Sequence, residues 1–230
     1  MNLSKPLNKH LEIKDAHATF SPSQPSWLNY DDDKLIARVQ NLRRTALGTE
    51  IHEWSSIRIK SGSKVTSAEE VRKDVKTRLF EKYYDERLDE VSIYGVQLID
   101  GLKYIPNEVF KTAVLFINDA IGFRMSSEQR LYYSEDFFGT SDALCMRDGL
   151  LRIHDLKTGA IPAHFEQLLI YDALYCLEYK VDPKTIDHEL RIYQFGEVDI
   201  LTPTAEEVKS VIDNIGHANN VVTKIERDAV

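Results

Sequence analysis

At 230 residues, with 43% hydrophobic and 29% charged residues, the chain is long enough to bury a sizeable core and has the balance of a soluble domain. Its formal net charge of −8 speaks against a protein that coats nucleic acid non-specifically, though not against one that meets DNA through a local basic groove. No apolar run of about 18 residues is present to span a membrane, and the first residues lack the apolar core of a secretory signal. The two cysteines, Cys145 and Cys176, suit reduced thiols rather than a disulfide framework, so a cytoplasmic protein is expected.

Residues 1–30 are polar and include Ser-Pro-Ser-Gln-Pro-Ser-Trp, which predicts a loop docked by Trp27 and Tyr30. From Asp33 the apolar positions Leu35, Val39, Leu42 and Ala46 recur at helical spacing, and the pattern resumes after Gly48 with Ile51, Trp54 and Ile57. That predicts one helix, or two with a break near the glycine. The acidic run Asp31 to Asp33 suits the start of this helix, where carboxylates complement the dipole. Lys60 to Lys64 reads as a loop. Either Thr66 with Glu69 or Ser67 with Glu70 offers a capping box for a helix carrying Val71, Val75, Leu79 and Tyr83.

Residues 91–105 read equally as strand or irregular, and a further helix is expected from about Pro106 to Phe123. Three short strands then follow, at 128–134, 139–147 and 150–157, the last two joined by the turn signal Arg147-Asp148-Gly149. A helix over 166–180, a strand at 188–196, a weaker strand signal at 197–202 and a final helix capped by Thr204 with Glu207 complete the order. The expectation is one domain over 1–230, mainly helical over 1–125, with β-β-β-α-β-α over 126–230. Such an order makes an α/β or α+β fold with a mixed sheet.

The hairpin around Asp148 carries the chemistry. Asp155 and Lys157 share a face if the strand persists, and Asp142 lies on the preceding strand within cross-strand reach. Two carboxylates converging from adjacent strands form the hard-oxygen site that Mg²⁺ or Mn²⁺ prefers. A lysine beside such a metal can orient a water or steady charge developing on a phosphate. Surface hairpins also carry alternating acids and lysines without function. In the next helix Gln167 and Tyr171 are four apart and share a face, able to position water, lysine or phosphate. His52, four residues after Gly48, could complete a divalent-metal shell as a neutral imidazole.

Taken in order, Gly48 with His52 (G-x-x-x-H), Gly139 to Asp142 (G-T-x-D), Asp155 to Gly159 (D-x-K-T-G) and Gln167 with Tyr171 (Q-x-x-x-Y) resemble the RecB-like branch of the PD-(D/E)XK nuclease superfamily. The stretch His17 to Trp27 is similar to the opening of phage-associated members. The resemblance implies a restriction-endonuclease-like core, a mixed central β-sheet flanked by helices. It further implies metal ligation by His52, Asp142, Asp155 and the backbone carbonyl of Leu156, with Lys157 at the nucleophilic water and Gln167 and Tyr171 in support. Many RecB-like nucleases bind an iron–sulfur cluster through four cysteines. Here Tyr30 stands near the first such position and no cysteine follows Leu177, so no cluster is expected.

What the resemblance implies is a Mg²⁺- or Mn²⁺-dependent deoxyribonuclease, an exonuclease acting on DNA ends, in the host cytoplasm if phage-encoded. An endonuclease of the same fold is the nearest rival. A non-catalytic DNA-binding subunit would usually have lost an acid or the lysine, and a chance coincidence of motifs would leave His52, Asp142 and Asp155 far apart. Homo-oligomerisation, as in ring-shaped phage exonucleases, and a single-strand annealing protein as partner stay open. Arg43, Arg44, Arg58, Lys60 and Lys64 flank the His52 region and read equally as a groove wall for phosphates or as a solvated helix face.

Overall fold

The computed structural model describes residues 18–86 and 89–228, so His17 and the segment before it lie outside the described residues. The chain divides into two compact units, Met1–Thr45 and Ala46–Val230.

In the first unit a 3₁₀ turn, Pro25–Asn29, presents Trp27, whose indole N–H donates to the Ser21 carbonyl (3.1 Å) and whose ring meets Phe20 edge-on. Arg38 ties this loop down by donating to the Thr19 carbonyl and to Gln24, both at 2.9 Å. Arg38 lies on α1, Asp32–Ser61, a single helix that passes through Gly48 without a break. The Asp31 carboxylate accepts from the Lys34 amide (2.9 Å), and Asp32 and Asp33 fill the first turn, as the dipole favours.

In the second unit α1 buries Leu47, Ile51, Trp54 and Ile59. Next comes α2, Ala68–Tyr83, with Val71, Val75 and Leu79 buried at helical spacing. Its cap resolves the two sequence options. The Ser67 hydroxyl accepts from the Glu70 amide, while the Glu70 carboxylate accepts from the Thr66 amide and hydroxyl. A two-stranded ribbon, β1 (Tyr84–Asp85) with β2 (Glu90–Val91), leads to α3, Ile93–Gly101, and a 3₁₀ turn, Leu102–Tyr104. The undecided stretch 91–105 is thus mostly helical, started by Ser92 accepting from the Gly95 amide (3.2 Å). Helix α4 spans Asn107–Gly122.

A five-stranded sheet follows, in the order β3 (Ser126–Ser134), β4 (Phe137–Arg147), β5 (Leu150–Leu156), β6 (Asp187–Gln194) and β7 (Glu197–Leu201). All neighbours are antiparallel except β5 and β6, which are parallel and linked through α5, Glu166–Tyr179. The weaker strand signal at 197–202 is a real edge strand, so the second half reads β-β-β-α-β-β-α, ending in α6, Ala205–Asp228. Two turns close the hairpins, with positive φ at Asp148 (52°) and Gly149 (81°) and again at Phe195 (54°) and Gly196 (81°).

The fold is therefore α+β, with a mixed sheet flanked by helices. Helix α4 covers one face together with α1 and α2, in a core that includes Ala143, Cys145, Leu156 and Tyr193. Helices α5 and α6 cover the other, over Leu144, Leu151, Ile153, Leu190 and Ile192. Successive residues of β4 and β5 alternate between these faces. A buried ion pair locks α5 to β6: His188 Nδ1 lies 2.9 Å from Asp172 Oδ2, and Nε2 lies 3.0 Å from the Pro183 carbonyl. A carboxylate and a carbonyl both accept, so together they favour the protonated imidazole and raise the His188 pKa against the pull of burial. Among the described residues no helix is long and apolar enough to cross a membrane.

Candidate metal centre

The register of the central strands sets the site. Ala143 pairs with His154, so one residue further along Asp142 falls beside Asp155. On the other side of β4, Ser127 pairs with Ala143 and Gln129 with Ser141, which places Glu128 opposite Asp142. Asp142 and Asp155 therefore form a cross-strand row on β4 and β5, with Glu128 at its β3 end close enough for the Asp142 charge to act on it. Strand spacing of about 4.8 Å separates neighbours in such a row.

His52 on α1 closes on the middle acid, with Nδ1 3.4 Å from Asp142 Oδ2. The same oxygen accepts the Leu156 amide at 2.8 Å, so Leu156 joins the site through its N–H. Asp155 is nearly enclosed, its side chain 5% exposed, and Lys157 supplies its counter-charge at 2.9 Å from Oδ2 and 3.2 Å from Oδ1. Oδ2 has no aligned hydrogen-bond donor despite that ion pair. The lysine ammonium also donates to Gln167 Oε1 (2.8 Å), and Gln167 Nε2 donates to the Tyr171 hydroxyl (3.1 Å). The result is a continuous chain, Asp155–Lys157–Gln167–Tyr171, running from β5 to α5.

Electrostatics mark the row as short of positive charge. Burial, then the neighbouring Asp142, pushes the Asp155 carboxyl up to about 6 against the pull of Lys157. Burial and Asp142 likewise raise Glu128. At His52 burial lowers proton affinity, but the hydrogen bond and charge of Asp142, backed by Asp155, outweigh it and the net shift is upward. Buried carboxylates facing one another favour a cation between them.

Two glycines make room for this arrangement. A Cβ at Gly48 would stand 2.6 Å from Thr158 Oγ1, and one at Gly139 would stand 2.7 Å from Tyr171 Cε1. The first lets α1 pass beside the segment after Lys157; the second lets β4 pass beside α5.

These features all fall within residues 17–179, the stretch matched by the family model described as "Protein of unknown function (DUF2800)". The chain belongs to the DUF2800 family. No curated protein and no solved structure matches it. The DUF2800 match takes in His52, Asp142, Asp155, Lys157, Gln167 and Tyr171 and stops at the last residue of α5, before β6.

The sequence-derived site residues thus converge as a set, with His52, Asp142, Asp155, Leu156, Lys157, Gln167 and Tyr171 linked by contacts of 3.4 Å or less. Among the described residues no three His, Cys, Asp or Glu side chains close round a single point; Lys157 pairs with Asp155, and His52 lies against Asp142. The donor chemistry, two carboxylates and an imidazole with a buried oxygen lacking a donor, fits Mg²⁺ or Mn²⁺.

The basic residues are divided. Arg43 and Arg44 belong to the first unit. Arg58 is committed to structure: it donates to Glu70 (2.8 Å), to the Ser63 and Lys64 carbonyls, and lies over Trp54. Lys60 and Lys64 are exposed, and Lys60 is near enough for its charge to be felt at Glu128.

Glu128 and Gln194 escaped the sequence reading, and Thr158, part of the D-x-K-T-G motif, was given no role of its own there. Glu128 joins the row from a left-handed backbone, φ 53°, which leaves no mark on sequence. Thr158 packs against the Gly48 position. Gln194, 6% exposed at the end of β6, donates to the Gly159 and Ile161 carbonyls (3.0 and 2.8 Å) and accepts from the Ala163 amide (2.9 Å). A glutamine following the inward positions Leu190 and Ile192 was the one available signal.

Proposed function

We propose that the protein is a divalent-metal-dependent deoxyribonuclease of the RecB-like PD-(D/E)XK type, acting as an exonuclease on DNA ends. The observation that carries this reading is the convergence of Asp142, Asp155 and Lys157 from two adjacent strands, with His52 on one side and Gln167 and Tyr171 on the other. Motifs that coincided by chance would have no reason to meet.

Mg²⁺ or Mn²⁺, held by His52, Asp142, Asp155 and the Leu156 carbonyl, would polarise the phosphate and acidify a water. The chain's own contribution is positioning and charge. Asp155 and Gln167 fix the Lys157 ammonium from two directions, so it can hold the attacking water in place and offset negative charge gathering on the phosphate. Tyr171 fixes the Gln167 amide in turn, through the 3.1 Å bond from its Nε2. The Leu156 amide and His52 hold Asp142 in one orientation. This network pre-organises the site before substrate arrives.

The test is cleavage of end-labelled linear and closed circular DNA with Mg²⁺ or Mn²⁺, beside Asp155→Ala and Lys157→Ala. Loss of linear DNA with circles intact, abolished in both variants, is expected. Cut circles would shift the reading to an endonuclease, and no metal-dependent cutting of either would overturn it in favour of a DNA-binding subunit.

A further inference from the structure

Beyond the acids, the β3–β4 arm carries a second set of side chains in register with them. Leu131 and Gly139 turn to α5, the first buried in the core beneath that helix and the second against Tyr171. Asp142 turns the other way, to His52 on α1. Side chains alternate along a strand, so Phe138 and Thr140 share the face of Asp142. Their cross-strand partners, Tyr132 and Arg130, share it too. Rows on one face of antiparallel strands follow each other at about 7 Å. The Arg130–Thr140 row is thus one step from Asp142, and the Tyr132–Phe138 row is two steps away, at about 14 Å.

This face is open to water. Phe138 is 59% exposed and Tyr132 49%, large as both rings are. Arg130 is exposed as well and has no ion-pair partner among the described residues.

Two rings and a guanidinium on one arm, with the candidate metal centre at its end, suit a partner that repeats flat apolar faces and negative charges along its length. A polynucleotide offers both, bases for the rings and a phosphate for Arg130. Its bases must be unpaired, because inside a duplex each base face is covered by its neighbour. We infer that this face of the β3–β4 arm is a single-strand track: Arg130 takes the phosphate next to the one at the centre, and Tyr132 with Phe138 form the platform on which the following base stacks. The inference rests on the nuclease reading and names its substrate class, unpaired DNA.

The experiment reads binding in the Lys157→Ala background with Mn²⁺, so that nothing is cut. The labelled ligands are a short oligothymidylate, an abasic strand with the same number of phosphates, and a blunt duplex. Phe138→Ala and Tyr132→Ala should each weaken binding of the oligothymidylate about tenfold, as loss of a stacking ring implies, and leave the abasic strand and the duplex unchanged. Phe138→Trp should keep the affinity, which separates lost stacking from lost structure. Arg130→Gln should weaken both single strands and lower the slope of log K against log salt by about 0.7. Unchanged affinity of the two alanine variants for oligothymidylate would give the face to another partner and overturn the track. Equal losses on all three ligands would overturn it as well. In either case metal-dependent cutting by the wild type leaves the nuclease standing. A wild type that neither binds a single strand nor cuts any DNA would overturn both.

Discussion

Gly139 and Tyr171 are in contact at a distance that leaves no space for a side chain: a Cβ on Gly139 would lie 2.7 Å from the tyrosine ring. Tyr171 accepts the bond that orients Gln167, which in turn holds Lys157. Gly139→Ala should therefore displace the ring, costing about 1–3 kcal/mol of stability from overpacking, and slow cleavage through Lys157. Tyr171→Ala in the same chain should recover the melting temperature but not the rate. If Gly139→Ala unfolds at the wild-type temperature with full activity, the contact carries no such role.

Glu128 sits in the row of acids with φ 53°, a conformation that costs an ordinary residue roughly 1 kcal/mol. Replacing it with glycine relieves that strain and removes one of the facing carboxylates. Glu128→Gly is expected to melt at or above the wild-type temperature while weakening Mn²⁺ binding, read by isothermal titration. A variant that melts lower with unchanged Mn²⁺ affinity would show that Glu128 serves the fold instead.

The Asp172–His188 pair predicts a pH dependence. Burial alone would lower the His188 pKa, but the bonds to Asp172 and Pro183 outweigh it and raise it above its ordinary 6.5. A raised folded pKa means the folded chain keeps a proton that the unfolded chain gives up. The stabilisation is complete below about pH 6.5 and disappears as pH rises through the folded value. Burial raises Asp172 also, in the same sense. His154 has the opposite sign: burial first, then Arg191 and Arg152, takes it down to about 3, so it favours the fold above pH 6.5. Melting-temperature differences isolate the pair. Wild type minus His188→Asn should shrink steadily from pH 6 to pH 9, and a constant difference would refute the assignment.

Arg58 and Lys60 are neighbours on α1 with different expected roles. Arg58 is spent on Glu70, two carbonyls and Trp54, so Arg58→Ala should cost about 1–2 kcal/mol of stability. Lys60 is exposed and felt at Glu128. Lys60→Ala should leave the melting curve unchanged and weaken DNA binding, with the slope of log K against log salt falling by about 0.7–0.9. Identical salt slopes for wild type and Lys60→Ala would remove this lysine from the phosphate track.

Much of this was readable from residue order because local rules and the fold agree. Asp148-Gly149 closes a hairpin, Thr204 and Glu207 cap α6 reciprocally, and Val71, Val75 and Leu79 face the core. The site motifs were readable too, since extended backbone continues one residue past β5, where the Lys157 amide still bonds to the Tyr193 carbonyl, and puts Asp155 and Lys157 on one face. Other features depended on what lay across the fold. Gly48 suggests a helix break, yet α1 continues through it, and the absent side chain leaves room for Thr158, more than a hundred residues on. Residues 91–105 have apolar groups without a clear period and two glycines, so only the Ser92 cap tips them into helix. The bend at Glu128 and the grip of Gln194 are products of register and cannot be inferred from their neighbours in sequence.

The dependence of Lys157 on the end of β6 also orders events in time. Its amide bonds to the Tyr193 carbonyl, and the loop beyond it waits for Gln194. During synthesis both acids, the lysine, Gln167 and Tyr171 emerge well before those two residues do. A nascent chain halted at α5 would carry Asp142, Asp155, Lys157, Gln167 and Tyr171 and still lack the strand that aligns them, so the proposed site would assemble only once β6 has been made.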